Sequence, residues 1–191
     1  MVRIFTRKYE IRISEIGPDE RLTPETMFCY LQDISNAQVA SMGIGVDDLK
    51  LRGVTWVLSR VCLETEYLPL HGDTVIAQTW PTEPSRFFVP RHVLLTSELT
   101  GKTVAQATCF WLMLDIKTKT VVHPWNHYPK VDVAEPCLEF FANPQRLDNT
   151  PGISPLEFTA RNSCIDFNRH VNNRFYFSFA QDWLSEQYHA P

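Results

Sequence analysis

The spacing of apolar positions changes along this chain, and each change marks an element. Tyr9-Glu10-Ile11-Arg12-Ile13 alternates apolar with polar as a half-buried strand does, and Pro18-Asp19-Glu20-Arg21 has turn composition. The spacing then becomes helical. Met27, Leu31, Ile34, Gln38 and Met42 trace a largely apolar stripe behind Thr23, a good N-cap, and Pro24, which suits the first helical position; Gly43 stops the run. The expected helix spans Pro24 to Met42. Between Met27 and Met42 only Asp33 is charged at neutral pH, so this helix is expected to be buried.

From Val54 to Val122 the pattern is that of strands: Thr55 to Glu66, Thr74 to Trp80, Phe87 to Ser97 and Thr103 to Asp115. His71-Gly72-Asp73 and Thr100-Gly101-Lys102 read as tight connections. One strand, one long helix and four long strands give an α+β order, in which an antiparallel sheet wraps around the helix. Residues 123–153 carry Pro124, Pro129, Pro136, Pro144 and Pro151 with little periodicity, and read as a linker.

The opening pattern then recurs. A shift of 149 residues lays Gln181-Asp182 on Gln32-Asp33, Asn172 on Thr23, and the strand-like Leu156-Glu157-Phe158-Thr159 near Lys8-Tyr9-Glu10. The repeated order of strand, polar turn and capped helix predicts two copies of one fold. The domain organisation expected is a first domain at 1–122, a linker at 123–153, and the start of a second copy at 154–191 with strand, motif loop and helix. The second copy stops early, so its helix is expected to bare apolar residues at Tyr176, Phe179 and Trp183.

The candidate chemistry lies in that second copy. In Asp166-Phe167-Asn168-Arg169-His170-Val171-Asn172-Asn173 an acid, an amide and an imidazole occupy alternate positions. In extended backbone these three side chains share one face. Asn172 and Asn173 can cap a helix starting near Arg174, which sets unpaired N–H groups and a positive dipole end beside the trio. In the first copy the same places hold Gly17, Asp19 and Arg21, so only the second has this chemistry. By itself, an Asp/Asn-rich stretch before a helix is also ordinary turn and cap composition.

Composition narrows the class. With 44% hydrophobic and 21% charged residues the 191-residue chain is globular, and no apolar run approaches the roughly 18 residues that span a membrane. The opening residues soon turn charged, unlike a secretory signal, and the chain reads as cytoplasmic. Cys29, Cys62, Cys109, Cys137 and Cys164 form no Cys-x-x-Cys pair and read as reduced, mostly buried thiols. A net charge of −4 gives no support for nucleic-acid binding over the whole surface. His123, Trp125, Asn126 and His127 lack the companion spacing of a metal site and read as polar linker; no cofactor is expected.

These blocks together resemble the acyl-[acyl carrier protein] thioesterase family of bacteria and plants, built from two hot-dog domains. The resemblance runs through Leu31-Gln32-Asp33, Trp56-Val57-Leu58-Ser59-Arg60, Gly72-Asp73-Thr74-Val75, Thr79-Trp80 and Ala107-Thr108-Cys109-Phe110-Trp111-Leu112-Met113. Its most specific element is Asp166-x-Asn168-x-His170-Val171-Asn172-Asn173. The resemblance implies a hot-dog fold and hydrolysis of the thioester between a fatty acyl chain and carrier-protein phosphopantetheine, releasing free fatty acid. It also places the family's catalytic Asp, Asn and His on Asp166, Asn168 and His170. Asp166 suits direct attack or activation of water, His170 a proton relay, and Asn168 the orientation of either; the sequence leaves the choice open.

Two departures accompany the resemblance. Cys164 stands where the family carries an acidic residue, and reads as a packed thiol rather than a nucleophile. The family's later catalytic carboxylate has no counterpart before Pro191, which suggests a shortened chain or completion by a partner subunit such as a second copy. Phe87, Phe88, Phe110 and Trp111 are candidate walls for an acyl tunnel, with plain core packing as the alternative. Arg161, Arg169 and Arg174 around the motif, with Arg86 and Arg91 on an expected strand, are candidates for a positive rim that steers the acidic carrier protein. Two other classes stay open: a non-catalytic acyl-binding module, and a hot-dog hydratase or dehydratase acting on a β-hydroxyacyl thioester.

Overall fold

In the computed structural model, residues 4–82, 86–127, 157–166 and 168–188 are described; Cys137 and most of the expected linker lie outside them. The first strand, β1 (Phe5–Glu10), sits a few residues earlier than the alternation suggested. The Ile11 N–H still bonds the Asp73 carbonyl opposite it at 3.1 Å, but the Asp73 N–H turns away to the Leu70 carbonyl at 3.3 Å and the ladder ends at Glu10. The chain then enters a 3-10 turn at Ile13–Glu15, which leaves Ile13 exposed instead of on a sheet.

Helix α1 (Pro24–Ser41) forms as the caps dictate. Thr23 Oγ1 accepts the Thr26 N–H at 3.2 Å, Pro24 occupies the first turn, and Gly43 takes the left-handed conformation (φ 69°) that ends the helix. A six-residue helix, α2 (Val46–Leu51), follows unannounced by the pattern. It has a single buried residue, Leu49, so it carries no period to read.

Strands β2 (Val54–Thr65), β3 (Thr74–Pro81), β4 (Val89–Ser97) and β5 (Thr103–Asp115) join β1 in one antiparallel sheet of order β1-β3-β4-β5-β2, with the two-residue β6 (Val121–Val122) paired to β5. The concave face closes on α1. Met27, Phe28, Leu31 and Ile34 pack there against Val75, Ala77, Val93, Leu95, Ala105 and Ala107. This is the expected α+β hot-dog arrangement, with the helix in the role of filling. Ile34→Ala is expected to cost about 2–5 kcal/mol in denaturant unfolding, against less than about 0.5 kcal/mol for the exposed Leu51→Ala. Equal losses would mean that α1 is not the centre of the core.

A bulge in β2 sets what the sheet shows to the helix. Leu58 pairs with Trp111 and Arg60 with Phe110, so Ser59 is the extra residue. Inward parity therefore switches from Trp56 and Leu58 to Val61 and Leu63. A smaller core of Val39, Ile44, Leu49, Val54 and Met113 gathers Trp56, Val122 and Trp125. Residues 123–127, read as linker, thus begin as packed structure: Pro124–Asn126 is a 3-10 turn with Pro124 buried, and the His123 ring meets Phe87 at 6.2 Å.

The second helix of the repeat, α3 (Asn173–Tyr188), packs on α1 through equivalent residues. Phe28 meets Phe177 at 4.7 Å between centroids, and Glu25 pairs with Arg174 at 3.5 Å. The cross-pairs also match: Ser178 Oγ donates to Glu25 at 2.6 Å, and the Arg174 guanidinium pulls against the burial that raises the Cys29 thiol. Each pair relates positions at or near the 149-residue shift, so the helices meet about an internal pseudo-twofold. Residues 157–161 do not form the expected strand. Among the described residues they have no neighbouring strand to bond, and Phe158 stacks instead on Phe179 at 4.7 Å. On α3, Tyr176 is 60% exposed and Leu184 47%, whereas Phe179 and Trp183 are half-buried.

Candidate functional site

The motif folds as a closed loop and not as extended backbone. A 3-10 turn at Asn162–Cys164 leads to a bridge between Ile165 and Val171, closed by the Asp166 N–H on the His170 carbonyl at 2.8 Å. Inside it, Asp166 Oδ1 accepts the N–H groups of Asn168 (2.8 Å) and His170 (3.1 Å), and Arg169 adopts φ 64°. The carboxylate bends the chain by capturing donors two and four residues ahead. Alternation along a strand is therefore the wrong reason for the convergence of the trio. Asn172 Oδ1 accepts the Arg174 N–H at 3.1 Å and caps α3, one residue before the expected start.

The first copy has the same backbone without the chemistry. Its 3-10 turn Ile13–Glu15, its bridge Ile16 to Leu22, its Gly17 N–H to Arg21 carbonyl bond (2.8 Å) and its positive φ at Glu20 (61°) all recur at the 149-residue shift. Among the described residues, Asp19 Oδ1 there accepts a single backbone bond, from the Arg21 N–H at 3.2 Å.

The second loop and the start of α3 form one wall of a cleft of about 740 Å³. Asp166, Asn168 and His170 all line it, with Val171, Asn172, Asn173 and Arg174. The opposite walls are Cys29, Gln32, Asp33 and Asn36 of α1, Thr55 to Leu58 of β2, and Trp111, Leu114 and Asp115 of β5. The structure thus brings the trio to one cavity, but among the described residues no hydrogen bond joins their side chains to one another. Asp166 Oδ1 is occupied by the backbone, which leaves Oδ2 as the oxygen facing outward chemistry.

The α1 wall is not among the sequence candidates, although Gln32 and Asn36, four residues apart on the helix, mark a polar stripe. Asp33 on that wall accepts Tyr9 Oη (2.7 Å) and Arg7 Nη1 (3.0 Å). Burial, then the Asp33 carboxylate, pushes the Tyr9 phenol far above its ordinary range, so Tyr9 stays a donor. Burial also raises the Cys29 thiol, against the pull of Arg174, which disfavours a thiolate nucleophile in the cleft. At the far rim, the Thr118 backbone N–H, helped by that of Lys117, holds Asp115 below the usual carboxylate range.

The candidate cations divide. Arg161 and Arg169 are exposed, while Arg174 is half-buried beside Glu25. Arg86 lies outside β4 and covers the Phe87 ring at 4.9 Å. Arg91 is no part of a rim: its side chain points under α1, is 5% exposed, and donates to Gln38 and to Thr79 Oγ1 (3.2 Å). Its neighbour across the ladder, Cys109, faces the core, and the pleat carries Arg91 inward with it. Of the candidate tunnel aromatics, Trp111 lines the cleft; Phe88 packs edge-on against Phe110 at 6.2 Å. Cys164 is buried. Among the described residues no group of His, Cys, Asp and Glu is placed to hold a metal ion, and no helix is long and apolar enough to cross a membrane.

Comparison with known proteins bears on this site. The model of the acyl-ACP thioesterase N-terminal domain matches residues 3–126, and that of the acyl-ACP thioesterase C-terminal domain matches residues 150–189. An oleoyl-acyl carrier protein thioesterase of Arabidopsis thaliana, named as chloroplastic, is 24% identical over 96% of this chain and 55% of its own length. An acyl-[acyl-carrier-protein] hydrolase of Cuphea viscosissima, also named as chloroplastic, is 28% identical over 92% of this chain and 45% of its own. The chain therefore spans about half the length of the curated relatives it matches. Among solved structures, an acyl-ACP thioesterase from Bacteroides thetaiotaomicron superposes with a TM-score of 0.81 at 26% identity, covering 94% of this chain and 73% of that one. A 12:0-ACP thioesterase from Umbellularia californica shares the fold at TM-score 0.71 and 22% identity, covering 92% and 73%.

Proposed function

Since this chain belongs to the acyl-ACP thioesterase family, we propose that it hydrolyses fatty acyl thioesters of acyl carrier protein to free fatty acid, at the cleft bearing Asp166, Asn168 and His170. The observation that carries the reading is the meeting of these three side chains and the start of α3 on one wall of a cleft whose other walls include Trp56, Leu58 and Trp111. A thioester carbonyl needs an activated oxygen nucleophile, donors for the developing oxyanion and a proton for the departing thiol. Asp166 Oδ2 supplies the carboxylate, as nucleophile or as base on water. N–H groups at the α3 start, with the Asn168 amide, suit the oxyanion, and His170 suits proton transfer to the sulfur. Water adds to the acyl carbon, the C–S bond breaks, and the acid and thiol leave.

All three residues come from one chain, so the reaction as proposed does not require a second copy. Cytoplasmic location, read from the sequence, is part of this proposal; the chloroplastic names belong to the plant relatives. The test is thiol release from an acyl-carrier substrate. Release confirms hydrolysis, whereas water addition to an enoyl thioester without thiol release would move the chain to the hydratase class.

Charge supports the choice of carrier. Arg161 and Arg169 stand exposed beside the loop, placed to meet an acidic protein at the cleft mouth. Arg169→Glu is expected to raise KM for carrier-bound substrate about tenfold while changing that for the matching acyl-coenzyme A less than about twofold. Arg174→Glu is expected to do the same and also to loosen α1 from α3, because it sets two carboxylates together at Glu25. Equal changes in KM for both substrates would remove the rim from the reading.

A further inference from the structure

The α1 wall of the cleft is polar, whereas the β2 and β5 walls contribute Trp56, Leu58, Trp111 and Leu114. Two side chains of the α1 wall are already engaged: Asp33 accepts Tyr9 and Arg7, and the Cys29 thiol lies under the pull of Arg174. The other two are free amides. Gln32 is half-buried and Asn36 exposed, and among the described residues no hydrogen bond engages either side chain. Each offers a carbonyl oxygen and an NH2 group. An alkyl chain laid against α1 would strip water from both amides and give nothing in return. The segment of ligand beside this wall therefore carries donors and acceptors of its own.

The order along α1 gives direction. Its first turns lie against the start of α3, where Glu25 meets Arg174 and Ser178, so the motif adjoins that end, and Gln32 and then Asn36 lead away from it. Four residues apart, their Cβ atoms stand about 5–6 Å from one another on one helix face. In a thiol arm built of cysteamine and β-alanine, successive amide nitrogens lie about 5 Å apart, one trans peptide unit plus one methylene. The two periods match. We propose that Gln32 and Asn36 read the two amides of a pantetheine arm, Gln32 the one nearer the sulfur and Asn36 the next, so that the protein selects thioesters carried on pantetheine over those of simpler thiols. The inference rests on the proposed acyl-thioester reading of the cleft. Each side chain exchanges a pair of bonds with its amide: its NH2 group donates to the arm's carbonyl, and its oxygen accepts the arm's N–H. The acyl chain is left to the Trp56 and Trp111 side.

The test is calorimetric titration of this chain with three dodecyl thioethers, which cannot be hydrolysed: that of 2-mercaptoethanol, with no amide, that of N-acetylcysteamine, with one, and that of pantetheine, with two. Each added amide is expected to tighten binding about fivefold. In Gln32→Leu the gain from mercaptoethanol to N-acetylcysteamine is expected to vanish while the gain from N-acetylcysteamine to pantetheine persists; in Asn36→Leu the second gain vanishes and the first persists. Should a leucine variant not fold, Gln32→Glu and Asn36→Asp keep the shape, lack the NH2 donor and are expected to lose the same steps. Binding of none of the thioethers, equal affinity for all three, gains that survive both substitutions, or loss of the opposite step in each would overturn the contact. Thioether binding involves no hydrolysis, so the arm contact and the thiol-release reading fail separately.

Discussion

Asp166→Asn is expected to lower kcat for thiol release by about 10²–10⁴-fold while leaving the loop intact, and Asp166→Ala to lose both. The two substitutions separate two roles of one carboxylate. Oδ1 holds the Asn168 and His170 N–H groups, and an amide oxygen at that position accepts the same bonds. What asparagine lacks is the negative charge, and with it the ability to attack carbon or take a proton from water. Alanine removes the acceptor as well, so two loop N–H groups lose their partner, at about 1 kcal/mol each. Thermal unfolding alongside the rate assay resolves the pair. An Asp166→Asn protein with near-normal kcat would reduce Asp166 to turn chemistry, the ordinary reading of an Asp/Asn-rich stretch ahead of a helix.

His170→Ala is expected to cost about 10²-fold or more in kcat with little change in stability. The loop uses only the backbone of His170: its carbonyl accepts the Asp166 N–H and its N–H meets Asp166 Oδ1. The imidazole itself is exposed to the cleft, so truncation leaves no core cavity. Added imidazole is expected to restore part of the rate by replacing the missing proton carrier. A variant of unchanged rate would take His170 out of the mechanism, and one that unfolds would show that the ring supports the loop.

Much of this was legible in the residues, for reasons that are local. Thr23, Pro24 and Gly43 bound α1 because caps act within one turn of the chain, and the four long strands kept their alternation over many residues. The 149-residue repeat is visible in a few identities and is borne by four matching backbone bonds and a matching bridge in the two loops. What the pattern missed depends on pairing partners. The end of β1 is set by Asp73 far along the chain, the parity switch at Ser59 by the register against β5, and the inward turn of Arg91 by its place opposite Cys109. At the site, alternation grouped three side chains that do line one cleft, but for a wrong reason, since Asp166 holds a curled backbone where an extended one is expected. Trp111 is a tunnel candidate in the sequence, but its place on the cleft wall is visible only once β2, β5 and α1 are assembled around it.

The twin loops have a consequence for how such a centre arises. Gly17, Asp19 and Arg21 ride on the same frame that carries Asp166, Asn168 and His170, with the same closing bond and the same left-handed residue before its end. That frame closes on backbone bonds with glycine at its first place and is braced by a carboxylate in the second copy, so the proposed reactivity rests on three side chains carried by a shared scaffold. A duplicated ancestor can therefore silence one half and sharpen the other by changes at these three positions while the backbone of the loop stays the same.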